Sequence, residues 1–210
     1  MNDDQLFRWV LVLAILLLLP VGFYHRFRAA TSEKLDRRQE GLVLLISIRF
    51  LGLLAMLGLV AYMIDPTWMA WSSVPLPVWL RWAGVGLGML AAALLVWTFR
   101  NLGKNITDTV VTRKEHFLVM TGPYRWVRHP FYLSLALAVL ANSLVTANWY
   151  VFATGAVVFV LLVLRTSKEE ENLIERFGDD YRQYMATELV PGALDGLAGK
   201  LVYSSPFSDL

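Results

Sequence analysis

From His116 to Tyr132 the sequence concentrates groups that could hold an anionic, polar ligand: His116, Arg125, Arg128 and His129. Tyr124, Trp126 and Tyr132 add flat aromatic surfaces to the same stretch. Pro123 and Pro130 restrict the backbone around these groups and so limit where the side chains can point. Simpler roles compete with this reading. Arg125 and Arg128 would also serve as cytoplasmic charge beside a membrane span, or contact phospholipid, and Trp126 would serve as an interfacial anchor. Neither role accounts for His129-Pro130. A second stretch, Arg165-Thr166-Ser167-Lys168-Glu169-Glu170-Glu171, sets Arg165 and Glu169 four residues apart, on one face of a helix. Ser167 and Glu170 match the capping box Ser-x-x-Glu, which gives Glu170 a structural reason to be present. Glu169 has a weaker one, a surface ion pair with Arg165.

The totals exclude several chemistries. The chain has no cysteine, so thiolate catalysis, disulfides and a lipidated cysteine on this chain are ruled out. The three histidines, His25, His116 and His129, are scattered, and no metal site is expected. A net charge of +2 gives nucleic-acid binding little support. Hydrophobic residues make up 57% of the 210 and charged residues 17%, the latter collected between long apolar runs. That pattern describes an all-α polytopic membrane protein.

Five apolar runs must position the polar stretches: about Leu6–Phe23, Leu42–Ile64, Val78–Phe99, Phe131–Ala147 and Trp149–Leu164. Each of the last two has about seventeen residues, near the lower limit for crossing roughly 30 Å of hydrocarbon. A short turn within Asn142–Asn148 joins them. Arg26, Arg28, Lys34, Arg37 and Arg38 follow the first run, which marks it as a retained helix rather than a cleaved signal. The loop Asp65–Pro77 carries no Lys or Arg. Arg100, Lys104, Arg113, Lys114, Arg125 and Arg128 fill the next loop, and Arg165, Lys168, Arg176 and Arg182 follow the fifth run. The positive-inside rule then places the N-terminus outside and both polar stretches at the cytoplasmic face.

Two features inside the runs need reading. Gly84-Val85-Gly86-Leu87-Gly88 imitates a dinucleotide fingerprint but has no strand before it. Gly84 and Gly88 instead read as small residues that let helices approach. Arg49 lies within the second run, either as a functional charge or as a cation snorkelling to the interface. After the fifth run, Leu173, Phe177, Tyr181 and Tyr184 form one apolar stripe, interrupted by Gly178, which predicts two short helices with a bend. The expected organisation is three transmembrane helices over 1–100, a cofactor-binding region with a transmembrane hairpin and C-terminal helices over 101–191, and a loose tail over 192–210.

Together the two polar stretches resemble the isoprenylcysteine carboxyl methyltransferase family and the related phospholipid N-methyltransferases, integral-membrane enzymes that use S-adenosylmethionine. His116-Phe117-Leu118-Val119 is similar to the family's His-x-Leu-Val. Gly122-Pro123-Tyr124 followed by Arg128-His129-Pro130-Phe131-Tyr132 is similar to its Gly-x-Tyr and Arg-His-Pro-x-Tyr. Arg165, then Glu169-Glu170-Glu171-Asn172-Leu173, then Phe177-Gly178-Asp179-Asp180-Tyr181, is similar to its Arg, Glu-Glu-x-x-Leu and Phe-Gly-x-x-Tyr run. Ser134 stands where many members have glycine. The resemblance covers about Asn101 to Pro191. It implies that His116, Phe117, Leu118, Val119, Tyr124, His129, Pro130, Phe131, Tyr132, Glu169 and Glu170 surround S-adenosyl-L-methionine. It also implies that Arg165 meets the acceptor, so that Arg165 and Glu169 form the catalytic pair.

The chemistry so implied is in-line methyl transfer, which depends on positioning. A carboxylate acceptor needs no general base, and a poorly hydrated site helps because charges are neutralised in the transition state. The expected function is methyl transfer to a lipophilic or lipidated acceptor that arrives from membrane lipid, a carboxylate of the isoprenylcysteine type. A phospholipid amine or small thiol is the alternative acceptor, and would need its proton removed. Rivals of other classes are an NADPH-dependent membrane reductase, since sterol reductases share part of the C-terminal pattern, and a non-catalytic membrane binding protein.

Overall fold

The computed structural model describes residues 3–28, 42–102 and 118–187. Every regular element among them is helical: α1 (Asp3–Arg28), α2 (Leu42–Ile64), α3 (Val78–Leu102), α4 (Pro130–Thr146), α5 (Trp149–Phe177) and α6 (Asp179–Thr187). Short 3-10 helices lie at Pro66–Ser72 and Gly122–Arg125. α1, α2, α3 and α5 are long and apolar enough to cross a bilayer. α4 has 17 residues, and at 1.5 Å per residue it covers about 25 Å. The protein is an all-α, multi-pass membrane bundle, as its composition implies.

Packing follows the small residues. α3 lies most extensively against α4, and α5 lies against both α2 and α4. A Cβ on Gly84 would sit 2.7 Å from the Leu144 Cβ and 3.1 Å from the Ala141 carbonyl oxygen. Glycine therefore lets α3 and α4 approach backbone to backbone, the small-residue contact expected inside a membrane. α4 ends where Ala147 takes a left-handed conformation, φ 48°. Asn148 then caps α5: its Oδ1 accepts from the Val151 N–H at 3.2 Å and from the Ser72 hydroxyl at 3.1 Å, and its Nδ2 donates to the Met69 carbonyl at 3.1 Å. One side chain thus starts α5 and ties it to the 3-10 helix Pro66–Ser72.

The starts of α1, α3 and α5 and the ends of α2 and α4 share one end of the bundle, here called the N-terminal end. Arg81 is buried there, 5% exposed. It donates to the Val145 carbonyl at 3.1 and 2.9 Å, to the Tyr62 hydroxyl at 2.9 Å and to Asp4 at 2.8 Å, and its guanidinium lies 4.2 Å from the Phe7 ring centroid. Sequence reading passed over Arg81 because one charge inside an otherwise apolar run barely alters hydropathy, and its partners come from three other helices.

Two expectations are corrected. The stretch after the fifth apolar run is not a separate short helix: α5 continues unbroken to Phe177. Leaving the apolar zone changes which side chains face outward, but the backbone hydrogen bonds continue. Ser167 is therefore mid-helix, and the Ser167–Glu170 capping box has no helix start to cap. The bend does fall at Gly178, whose φ is 55° and whose N–H donates to the Ile174 carbonyl at 2.8 Å. Arg49 is exposed on the outside of α2, two turns from its start, as the snorkelling reading requires.

Candidate active site

At the opposite end of the bundle, here the motif end, two helices meet. The chain reaches α4 through the turn Gly122–Arg125, with Gly122 at φ 64°. Pro130 sits at the first position of α4, where its missing N–H costs nothing, and His129 precedes it as the capping residue. That places His129 and Tyr132 on the approach to α5. α5 has by then run about 30 Å from Asn148 and presents Glu169 and Glu170.

The pairing is specific. Glu170 Oε1 accepts from Arg128 Nη1 at 3.1 Å and lies 3.1 Å from His129 Nε2. Arg128 and His129 side chains are each 10% exposed and Glu170 is 17% exposed, so the three groups meet with little solvent between them. The Tyr132 hydroxyl donates to Glu169 Oε2 at 2.9 Å. The His129 and Tyr132 rings are 5.5 Å apart and tilted by 53°. Two neighbouring carboxylates on α5 thus face two different sets of donors from α4 and the residues before it.

The C-terminal helix closes over this arrangement. Tyr181 and Tyr184 are 2% and 7% exposed, and the Tyr184 hydroxyl donates to the Tyr124 carbonyl at 2.7 Å. Burial, reinforced by the Glu169 charge, pushes the Tyr124 phenol well above its ordinary range. Burial likewise raises Tyr181; the Glu170 charge adds to it while Arg128 opposes. Both phenols stay neutral donors at physiological pH.

Of the sequence-derived site residues, Tyr124, His129, Pro130, Tyr132, Glu169 and Glu170 come together here. Phe131 is 40% exposed; its ring stacks on Phe99 of α3 at 6.3 Å and meets the Tyr132 ring edge-on at 5.7 Å. Leu118 and Val119 are half-buried. Arg165 is half-buried on α5, one turn before Glu169. His116 and Phe117 lie outside the described residues. The sequence offers Arg128 as a ligand donor or as charge beside a membrane span, and Tyr184 as part of a stripe; the pairing of Arg128 with Glu170 and that of Tyr184 with Tyr124 come from the fold. A cavity of about 520 Å³ opens at the N-terminal end, lined in part by Asp4, Tyr62, Arg81 and Asn148. It holds none of the motif residues, and the Arg81 donors on its wall are engaged within the protein, so the candidate site remains at the motif end.

Known proteins give this geometry a context. A family model for the isoprenylcysteine carboxyl methyltransferase (ICMT) family matches residues 84–175. The chain is 34% identical to a methanethiol S-methyltransferase of Mycobacterium tuberculosis, over 50% of this chain and 42% of that protein. It is 29% identical to the protein-S-isoprenylcysteine O-methyltransferase of Rattus norvegicus, over 61% of this chain and 46% of that protein. The chain thus spans less than half the length of these curated relatives. The solved structure of a eukaryotic intramembrane Ras methyltransferase, ICMT, superposes with a TM-score of 0.51 at 18% identity, over 92% of this chain and 64% of that one, which is a likeness of fold. The similarity to the ICMT family thus runs across residues 84–175, from the glycines of α3 through Glu169 and Glu170.

Proposed function

We propose that the protein is an S-adenosylmethionine-dependent membrane methyltransferase acting on a lipophilic carboxylate of the isoprenylcysteine type. The observation that carries this reading is the pairing of Glu169 and Glu170 with Tyr132, Arg128 and His129 at one end of an apolar bundle. The donor set fits the cofactor's chemistry. Arg128 and His129 offer cationic donors to its carboxylate, Glu169 and Glu170 offer acceptors to its ammonium or ribose hydroxyls, and Tyr124 or Tyr132 offers a ring to its adenine. When bound, the cofactor supplies an electrophilic methyl group on a sulfonium. The protein's part is to hold the acceptor in line with it and to exclude water. Arg165 lies one turn nearer the apolar part of α5 and would orient an acceptor carboxylate.

The basic loops support an orientation with the N-terminus outside and the motif end in the cytoplasm. The cofactor then arrives from water and the acceptor from lipid. The first three helices, which carry no motif, would shape the acceptor's path. A small thiol acceptor is the second reading, favoured by the similarity to methanethiol S-methyltransferases. It would need a proton acceptor, and Glu169 is the carboxylate at hand.

The test supplies detergent-purified protein with methyl-labelled S-adenosylmethionine and either a farnesylcysteine derivative or methanethiol. The expected product is a base-labile methyl ester, lost in Arg165→Ala while S-adenosylhomocysteine still binds. Label in a thioether would support the second reading. Absence of both turnover and S-adenosylhomocysteine binding would remove the methyltransferase reading.

A further inference from the structure

We infer that Tyr184, on α6 and beyond the residues matched by the family, is a positioning residue for the cofactor site. It acts by fixing the main chain of the turn Gly122–Tyr124. The inference rests on the cofactor reading above.

α6 leaves α5 at Gly178, at a positive φ of 55°, with nothing within 4 Å of where a Cβ would stand. The turn of the chain there is set by the backbone, not by packing. Asp179, Asp180, Arg182 and Gln183 are exposed, whereas Tyr181 and Tyr184 are buried, their rings 5.9 Å apart. These two tyrosines are what docks α6.

The Gly122–Tyr124 turn is itself held from two sides. Its internal bonds, Tyr124 N–H to the Thr121 carbonyl at 3.3 Å and Trp126 N–H to the Pro123 carbonyl at 3.0 Å, set its shape but not its place. On one side, a Cβ on Gly122 would land on the Asn101 side chain, which α3 anchors through a 2.8 Å bond to the Trp97 carbonyl. On the other side, the Tyr184 hydroxyl holds the Tyr124 carbonyl at 2.7 Å. The Tyr124 phenol lies close enough to Glu169 to feel its charge. Whatever fixes the turn therefore fixes the Tyr124 ring relative to the proposed cofactor groups. Tyr184→Phe removes this tether and leaves the buried ring.

The experiment is calorimetric titration of the full-length protein in detergent with S-adenosylhomocysteine, together with KM for S-adenosylmethionine and for the acceptor. Tyr184→Phe is expected to weaken S-adenosylhomocysteine and raise the KM for S-adenosylmethionine by roughly three- to tenfold, the scale of one neutral hydrogen bond. The acceptor KM should stay as in wild type. Asn101→Ala, which loosens the turn from the other side, should move the same two constants in the same direction. Arg182→Ala, exposed on α6, should move neither. A lowered melting temperature with unchanged affinity in Tyr184→Phe would make its role merely structural and overturn the inference. An equal loss in Arg182→Ala would mean general fraying of α6 and would overturn it as well. If wild type binds no S-adenosylhomocysteine, the failure belongs to the cofactor reading.

Discussion

The bundle carries two polar clusters, at opposite ends and about 30 Å of helix apart, and they are built from different kinds of partner. At the N-terminal end, Arg81 is held by a backbone carbonyl, a phenol, a carboxylate and an aromatic ring. The carbonyl of Val145 cannot move without moving α4. At the motif end, Glu169 and Glu170 are met by side chains, Tyr132, Arg128 and His129. Side chains can exchange one partner for another by changing rotamer. A buried charge with backbone partners staples helices together. A buried charge with side-chain partners can be offered to a ligand, because the ligand's own charges can replace the pairing it disrupts.

The comparison is broken most readily at Arg81. Arg81→Leu should destabilise the protein by about 3 kcal/mol, because it leaves the Tyr62 hydroxyl and the Val145 carbonyl without their donor. Asp4 is half exposed and will lose less. Thermal melting in detergent should fall clearly, while S-adenosylhomocysteine affinity of the folded fraction should not change. A variant that melts as wild type but loses affinity would reverse the roles of the two ends.

Glu170→Ala is the matching change at the motif end. It leaves Arg128 and His129 facing each other without their shared anion. Cofactor affinity should drop tenfold or more, on the order of 1.5–3 kcal/mol for charge-assisted bonds. Unchanged calorimetric affinity would reduce Glu170 to a structural ion pair. Tyr132→Phe is milder, since it keeps the buried ring and removes one donor to Glu169. A loss of about 1 kcal/mol in cofactor binding is expected, and an equal loss of melting stability with no change in affinity would count against its place in the site.

The smallest effect is a pH dependence. Tyr124 and Tyr181 have their folded values raised above the ordinary 10.0. The unfolded chain would therefore ionise first as pH rises. Stability from these two groups is complete below about pH 10 and declines above it. Melting temperature should be flat from neutral pH to that point as far as they contribute, and phenolate absorbance should appear late. Early phenolate formation from either residue would show that α6 does not bury them.

Helix positions were legible because each apolar run is bounded by charge or by turn residues. α2 begins and ends where its run does, Leu42 to Ile64. What was misread depended on context. Ser167-Lys168-Glu169-Glu170 has the letters of a helix start, yet α5 had begun at Trp149, capped by Asn148. The motif residues named the site, but not who pairs with whom. Glu169 was weighed against Arg165, four residues away, whereas Tyr132 on α4 donates to it. Arg81 gave no local signal, because its meaning lies in Asp4, Tyr62 and Val145, each brought in by a different helix. Local patterns report elements; cross-helix hydrogen bonds are written only in the packed bundle.

The motif-end cluster is proposed to hold the methyl donor. Titrating S-adenosylhomocysteine into wild type and Glu169→Gln, with NADPH alongside, tests it most directly. The account predicts that S-adenosylhomocysteine binds wild type, that Glu169→Gln weakens it by about tenfold or more at an unaltered melting temperature, and that NADPH does not bind. Binding of NADPH in place of S-adenosylhomocysteine, or wild-type affinity in Glu169→Gln, would contradict it.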